Sequence, residues 1–570
     1  MLLAGYVLGF ALILYWMRHR TERARTVTAV AYNYLFIIGM LVAAQMKGQP
    51  FTWEGFTETV LKSAYSTPPA MAFRGDINDV AGLQRVAIFC IVSVYTLRAV
   101  AVLFFRRALN RLMAWFRVKR NHDVYVLWGS QRDAEKVLSD LSAHVSNPAV
   151  VWIPFREEEQ EGALQVLPAT ESYFEKARMG KTNHVLILPD DQGKNGERVK
   201  KLDGLRAGKT PFRVTAVLED SALRLDDLKC EYIDACLTSR EDLLFEEAIS
   251  GARPIQWLKE KGLGREREGV FLPDRPYRLA VMGFNRLSRA FLLSFCENAA
   301  FETAQGKGLQ ARVYGAAEEE WEAFRLDYPA LWMYADIEKQ AGDAQRMTAD
   351  SLTDEALRPD CVVIALPTAA QSVEAARRLC RLLNRLGLED ARRPLILAAA
   401  DGGEEPPALP GVRWVREEKT ALTYETLILR AQDAQAMQVH LQYKALNPNI
   451  KDWNRLDTFI QSSNRAVVRD EINKRTLASD TGADRQTALW ALARYEHRRW
   501  VTFYAARGWA PLPQQELTEW EAAHFNLKRP QERRHACMTD WDKLDQLPQE
   551  VPGKLKMNDY ANVEPLFPEK

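Results

Sequence analysis

The sequence predicts a multi-domain membrane protein. It should have three N-terminal transmembrane helices, two α/β parallel-sheet domains and a C-terminal, mainly helical domain. Three observations predict this. Long apolar runs near the N-terminus are flanked by arginines. Short apolar strand patterns alternate with helical patterns twice, after Asp123 and again after Tyr277. A stretch free of glycine and proline, Leu489–Arg507, then stops at Gly508. The expected boundaries are 1–120 for the membrane region, 121–250 and 275–440 for the two sheets, and 450–570 for the helical domain.

The 570 residues, 47% of them hydrophobic, suffice for about three or four domains. With 76 basic and 75 acidic residues the net charge is +1. That balance gives no case for a nucleic-acid partner, and none is expected. The seven cysteines form no CxxC pair, so no metal is expected and scattered thiols suit a reducing compartment.

Met1–Met17 is almost wholly apolar and is followed by Arg18, Arg20, Arg23 and Arg25. A signal peptide carries its charge before the apolar core, so this segment reads as a span. Thr26–Met46 is a second span, and Leu83–Phe105, with Arg85 and Arg98 inside it, a third. Basic residues at 18–25 and 106–120 put both segments inside. The expectation is an inner or plasma membrane location, an outside N-terminus, cytoplasmic soluble domains and the lipid bilayer as a partner. Residues 50–65 carry Phe51, Trp53, Phe56, Val60 and Leu61 in a pattern for a short amphipathic surface helix. No TVGYG-like filter is present, and three spans cannot enclose a pore alone, so a channel would need a homo-oligomer.

The first sheet begins at Asp123, and its first strand ends in a turn at Gly129-Ser130. A helix over 133–145 follows, with strands at Val150–Pro154, His184–Pro189, Phe212–Leu218 and Tyr232–Leu237. The turn departs from GxGxxG, yet helix amides there can still meet a phosphate. A ligand-free structural layer and a nucleotide site both stay open. Lys194, Asn195 and Gly196 form a polar loop after one strand. Residues 251–274, punctuated by glycine and proline, read as a linker.

The pattern restarts at Tyr277 and turns at Gly283-Phe-Asn285-Arg286. Strands are expected at Ala311–Tyr314, Leu331–Tyr334, Cys361–Leu366, Leu395–Ala399 and Val412–Val415, with a helix over Gln371–Arg385. Asn285 and Ser288 stand where dinucleotide binders often carry glycine, and their side chains restrict the approach of a pyrophosphate. On strand order and the run VMGFNRLSRA, both units resemble the TrkA-N or RCK-type Rossmann domains of potassium-transport regulators. The resemblance implies Rossmann-like domains that bind a nucleotide or dinucleotide and convey conformational change to membrane proteins. The cofactor-binding candidates are Gly129, Gly283 and Asn285.

Thr420–Tyr443, Phe459–Leu477 and Thr487–Arg507 read as helices. In the last, Ala493, His497, Trp500 and Tyr504 share one face, and Glu496, Arg499 and Phe503 the adjoining one. Such a helix has two outcomes: internal pairing with cation–π packing in a small core, or a pocket for a planar, charged ligand. Arg465 and Arg499 are suited to grip phosphate or carboxylate, Trp500 or Trp541 to stack on a base, and Glu496 to orient a neighbour. Glu496 and His497 point about 100° apart and form no dyad. No HExxH, Walker A or GxSxG motif appears, which disfavours an enzyme. The runs LARYEHRRW and ARGW, with SNR at Ser463–Arg465 and HACMTDWDKL at His535–Leu544, resemble the RyR domain over roughly 450–570. That module is repeated in ryanodine receptors and occurs singly in bacterial and phage proteins. Here Ala510-Pro511 stands where Tyr-Gly often follows the Gly-Trp pair. The resemblance implies ligand-binding positions at Asn464, Arg465, Glu496, His497, Arg499, Trp500, Trp509 and Trp541.

Together these features predict a membrane-anchored cytoplasmic sensor that binds a nucleotide-derived ligand and signals to its transmembrane helices. Anti-phage defence is a setting the resemblance implies. The alternatives are an ion-transport regulator or oligomeric channel subunit, an NAD(P)-dependent oxidoreductase, and a ligand-free scaffold.

Overall fold

The computed structural model describes Val42, 52–60 and 111–566, except 156–165, 177–181, 191–192, 208, 210, 219–229, 342–348, 355–356, 389–391, 401–404, 417–421, 447–448, 454–455, 479–483, 514–527 and 548–552. The chain divides into two compact units, Met1–Met113 and Ala114–Lys570. In the first, residues 53–60 form a helix whose Trp53 is 74% exposed. The Thr52 hydroxyl accepts a hydrogen bond from the Gly55 amide at 3.2 Å and so caps it.

The membrane architecture needs correction. Among the described residues no helix is long and apolar enough to cross a membrane. The three expected spans lie outside the described residues, apart from Val42. The longest described helix, Arg485–Ala505, has the length but carries Arg494, Glu496, Arg498 and Arg499 in its interior, charges that are costly in hydrocarbon. The anchored architecture, the bilayer partner and the inner-membrane location with an outside N-terminus therefore have no support in the structure.

The first sheet holds β1 (Asp123–Trp128), β2 (Val150–Ile153), β3 (Leu167–Pro168), β4 (Thr182–Ile187), β5 (Arg213–Leu218) and β6 (Asp234–Ser239). All pairs are parallel, in the order β3-β2-β1-β4-β5-β6. β1 and β2 are buried on both faces, which is why they read as continuous apolar runs without alternation. Helices α1 (Gln131–His144), α2 (Asn195–Leu205) and α3 (Arg240–Ala248) belong to this sheet. Ser130 and Ser239 cap α1 and α3 by accepting from the amides of Asp133 and Asp242.

Residues 251–274 are not a bare linker. Pro254 at the first position starts helix α4 (Pro254–Glu260), and β7 (Gly264–Arg267) and β8 (Val270–Pro273) form a hairpin. The second sheet repeats the first. It holds β9 (Tyr277–Met282), β10 (Leu309–Tyr314), β11 (Asp336–Gln340), β12 (Cys361–Ile364), β13 (Leu395–Ala399) and β14 (Val412–Val415). The order is β11-β10-β9-β12-β13-β14, again parallel. Its main helices are α5 (Arg286–Asn298), α6 (Glu318–Asp327) and α7 (Ala369–Arg385). Leu331–Tyr334 is a helical turn, not a strand; the strand is β11, immediately after it. A four-residue apolar run fits either structure by periodicity. Here Trp332 packs edge-on against Trp321 and donates its indole N–H to the Ile337 carbonyl at 3.0 Å.

The expected helix over Thr420–Tyr443 is interrupted. Glu425–Leu429 forms a π-helical turn and Arg430 adopts φ +49° before α8 (Ala431–Leu446). The Arg430 guanidinium donates to Thr215 Oγ1 at 3.0 Å and to the Asp234 carbonyl at 2.9 Å, so this segment is fastened to the first sheet. Then come α9 (Thr458–Arg469), α10 (Glu471–Leu477), α11 (Arg485–Ala505) and α12 (Lys554–Ala561). A small sheet of β15 (Ala510–Pro511), β16 (Lys528–Arg529) and β17 (Arg534–His535) follows α11. α11 packs on α12 and also on α5 of the second sheet.

Candidate functional site

In doubly wound sheets of this order, ligands occupy the crevice at the carboxyl ends of the strands where the winding reverses. Here the reversals lie between β1 and β4 and between β9 and β12. In the first, a Cβ on Gly129 would sit 2.5 Å from the Leu188 Cβ. Asn195 is buried and donates its side-chain amide to the Leu188 and Val217 carbonyls, both at 2.7 Å. Arg198 donates to Asn195 Oδ1 at 2.7 Å and lies 4.0 Å above the Phe155 ring. Asn195, expected in a polar loop but found as the first residue of α2, thus ties the strand ends together.

In the second crevice Gly283 has φ +89°, and a Cβ there would lie 2.1 Å from the Ala365 carbonyl oxygen. The close approach of the turn to β12 requires glycine at this position. Asn285 caps α5: its Oδ1 accepts from the Ser288 amide at 3.1 Å, and its Nδ2 donates to the Ala365 carbonyl at 3.0 Å. Its side chain therefore spans the crevice from the helix start to the strand end. Phe284 turns into Trp321 and Phe324, and Arg286 reaches Glu241 of α3 at 2.9 Å.

The helical unit collects a second set of polar groups. Glu496 is fully buried and accepts from Arg499 Nε and Nη2, each at 2.8 Å. Lys474, also fully buried, reaches Glu496 Oε2 at 2.8 Å. Burial pushes the Glu496 carboxyl up, but Arg499 and Lys474 outweigh it and hold it at about 2. Asp470 is raised by burial; its Oδ1 accepts from Tyr495 Oη and Asn473 Nδ2, each at 2.8 Å. Asn473 Nδ2 also lies 3.4 Å from Asn298 Oδ1 of α5, which accepts from Arg253 at 2.5 Å. Arg507 donates to Glu297 of α5 at 2.6 Å. One buried polar network therefore crosses from the helical unit into the second sheet domain. Beside it opens a small cleft walled by Asp242, Glu246, Arg253, Glu297, Arg469 and Asp470 among others.

His497 belongs to a different cluster. Its Nδ1 is 3.1 Å from Asp559 Oδ2 and its Nε2 2.9 Å from the Thr539 carbonyl. A carbonyl only accepts, so Nε2 carries a proton, and a further proton lies between Nδ1 and Asp559. Burial lowers the imidazole pKa, yet Asp559 and the Thr539 carbonyl prevail and raise it. Burial also pushes the Asp559 carboxyl up; whichever atom holds the shared proton, the pair is neutral as a whole. The half-buried Trp500 and Trp541 rings lie 6.0 and 5.7 Å from His497.

The candidate residues of the helical unit thus fall into separate groups. Glu496 and Arg499 share one network; His497, Trp500 and Trp541 share another. Trp509 packs against Phe459 and Tyr504. Arg465 stands apart, its Nε on Asp433 and its two Nη atoms buried without a hydrogen bond. Asn464 is half-buried beside it on α9. Sequence reasoning missed Lys474, Asp470, Asn298, Asp559 and Lys528. Lys474 sits in the polar run Asn-Lys-Arg, which reads as solvated. Among the described residues no group of three or more His, Cys, Asp or Glu side chains could hold a metal ion.

No family model matches the chain, and no curated protein matches it. Among solved structures, a mutant of GsuK is 12% identical, with a TM-score of 0.32, over 72% of this chain and 100% of that one. The GsuK channel is 11% identical, with a TM-score of 0.33, over 75% and 96%. One of the dipicolinate synthase polypeptides of Bacillus halodurans is 12% identical, with a TM-score of 0.20, over 55% and 96%. Overlap this low carries no argument about ligand or assembly. The composite identification read from the sequence, an RyR module and a TrkA-N/RCK-type pair behind transmembrane helices, is corrected in its membrane part, since no described helix can span a membrane. What the fold defines is a class: two consecutive doubly wound α/β sheets joined to a helical unit.

Proposed function

We propose that this chain is a ligand-responsive regulator of ion transport, in which a nucleotide-type small molecule alters packing between the second sheet domain and the C-terminal helical unit. The observation that carries this reading is the buried polar network joining Arg253, Asn298, Asn473 and Asp470, with Arg507 on Glu297 beside it. Buried ionic groups are a poor source of net stability, and their best-attested use is to specify one packing over another. A ligand that favours one arrangement shifts the balance between them. The nucleotide part of the reading is supported by the strand order, which places two reversal points in one chain. Gly129, Gly283 and Asn285 are the candidates at the reversal points, and the half-buried Trp500 and Trp541 are those of the helical unit, where Arg465 and Arg499 are buried against Asp433 and Glu496.

The test is calorimetric titration of the full chain with a panel of mononucleotides and dinucleotides, alongside thermal melts. Saturable binding with a raised melting midpoint is expected. Absence of binding to every nucleotide at millimolar concentration would leave the ligand-free scaffold. Ion flux in liposomes carrying the full chain, with and without the bound nucleotide, separates a channel-forming chain from a regulator that acts on a separate transporter.

A further inference from the structure

Three aromatic rings converge on one ammonium. Lys528 Nζ lies 5.0 Å from the centroid of Phe459, 5.5 Å from Tyr504 and 4.9 Å from Trp509. The rings come from the start of α9, the end of α11 and the turn after Gly508. They also brace one another, with centroids 4.8, 5.5 and 5.2 Å apart, two of the three contacts edge-on. All three are buried, and Lys528 on β16 is half-buried over them. By contrast, Lys259, Lys261 and Lys556 each lie over one ring among the described residues.

Ring faces carry negative potential and attract cations, and several faces around one point make the geometry that recognises quaternary ammonium groups. A primary ammonium is strongly hydrated, so a methylated one gives up less water on entering such a box. The neighbouring His535 adds no competing charge. Its ring is 5.5 Å from Tyr504, and burial, with Lys528 next, lowers its pKa to about 3, so it stays neutral. Lys528 is held through the short pairing of β16 with β17, Lys528 opposite His535 and Arg529 opposite Arg534.

We propose that Phe459, Tyr504 and Trp509 form a binding site for an organic cation of the quaternary ammonium class, and that Lys528 is its built-in occupant, which an external cation must displace. This site is independent of the nucleotide reading, and either can fail without the other.

The test titrates the full-length wild type and Lys528→Ala with tetramethylammonium and with choline, following tryptophan fluorescence. Lys528→Ala should bind saturably, and about ten-fold or more tightly than the wild type. Lys528→Met refills the box with an uncharged side chain and should return binding to the wild-type level or below. Should Lys528→Ala fail to fold, Lys528→Ser replaces it in the same titration, since it also removes the charge and leaves the box empty. No saturation in the vacated variant, or equal affinity in variant and wild type, overturns the proposal.

Discussion

Glu496 and Arg499 stand one turn apart on α11 and form a two-point ion pair, 2.8 Å at each contact, with both side chains shut away from water. Lys474 completes the arrangement from α10, so one carboxylate faces two cations in the middle of the helical unit. Removing the carboxylate leaves Arg499 and Lys474 buried and mutually repelling. Glu496→Gln is expected to cost about 3–5 kcal/mol, read from the urea midpoint. An unchanged midpoint would show that the pair contributes nothing.

The same carboxyl sets an acid limit. Its pKa is depressed from 4.5 to about 2 in the folded protein. Its contribution is therefore fully present above 4.5 and is lost as the pH falls through about 2. Acid unfolding followed by circular dichroism should begin at higher pH in Glu496→Gln than in the wild type.

His497 and Asp559 act in the opposite direction. The His497 pKa is raised above its ordinary 6.5. The stability it confers is present below that value and is lost as the pH rises through the folded value. The wild-type melting midpoint should fall from neutral to alkaline pH. Asp559→Asn, which removes the partner carboxylate, should flatten that fall; equal slopes in both proteins would contradict the assignment.

Arg507 and Glu297 link α11 to α5 at 2.6 Å. Arg507→Met keeps much of the packing against Phe503, over which the guanidinium lies at 3.5 Å. It should cost about 1–3 kcal/mol and broaden or split the calorimetric transition as the helical unit loses its hold on the second sheet. A single sharp transition at the wild-type midpoint would argue that the coupling runs elsewhere.

Gly283 and Gly251 offer a matched pair. Both have positive φ, +89° and +66°, but a Cβ at Gly283 meets the Ala365 carbonyl at 2.1 Å whereas at Gly251 it meets nothing within 4 Å. Gly283→Ala should cost about 3 kcal/mol or more and Gly251→Ala about 1 kcal/mol, by thermal or chemical denaturation. Equal costs would mean that backbone strain, not the crowded strand end, decides the residue.

The alternation of apolar strands and helices made both sheets legible, because strands buried on two faces must be apolar throughout. The spatial order of the strands, with its reversals between β1 and β4 and between β9 and β12, was decided by the tertiary structure. Local ambiguity misled where a run was short: Leu331–Tyr334 has the composition of a strand and the structure of a helical turn. The 251–274 segment looked like linker because Pro254 and Gly264 punctuate it, yet the proline opens a helix and the glycine starts a hairpin strand.

By itself the sequence determined the periodic elements, the paired α/β layout and the polar demand of Glu496, His497 and Arg499 on one helix, since each follows from neighbours a few residues apart. It did not determine how that demand is met. The tertiary structure decided that Lys474 answers Glu496 and Asp559 answers His497. It also decided that Asn285 spans its own crevice to Ala365, and that Lys528 fills a box of three rings. The first three of these pairs are separated by between 22 and 80 residues of chain, so no local pattern announces them. The charged partners are selected by the large cost of leaving a buried charge unpaired, a cost that exists only once the chain has closed over it.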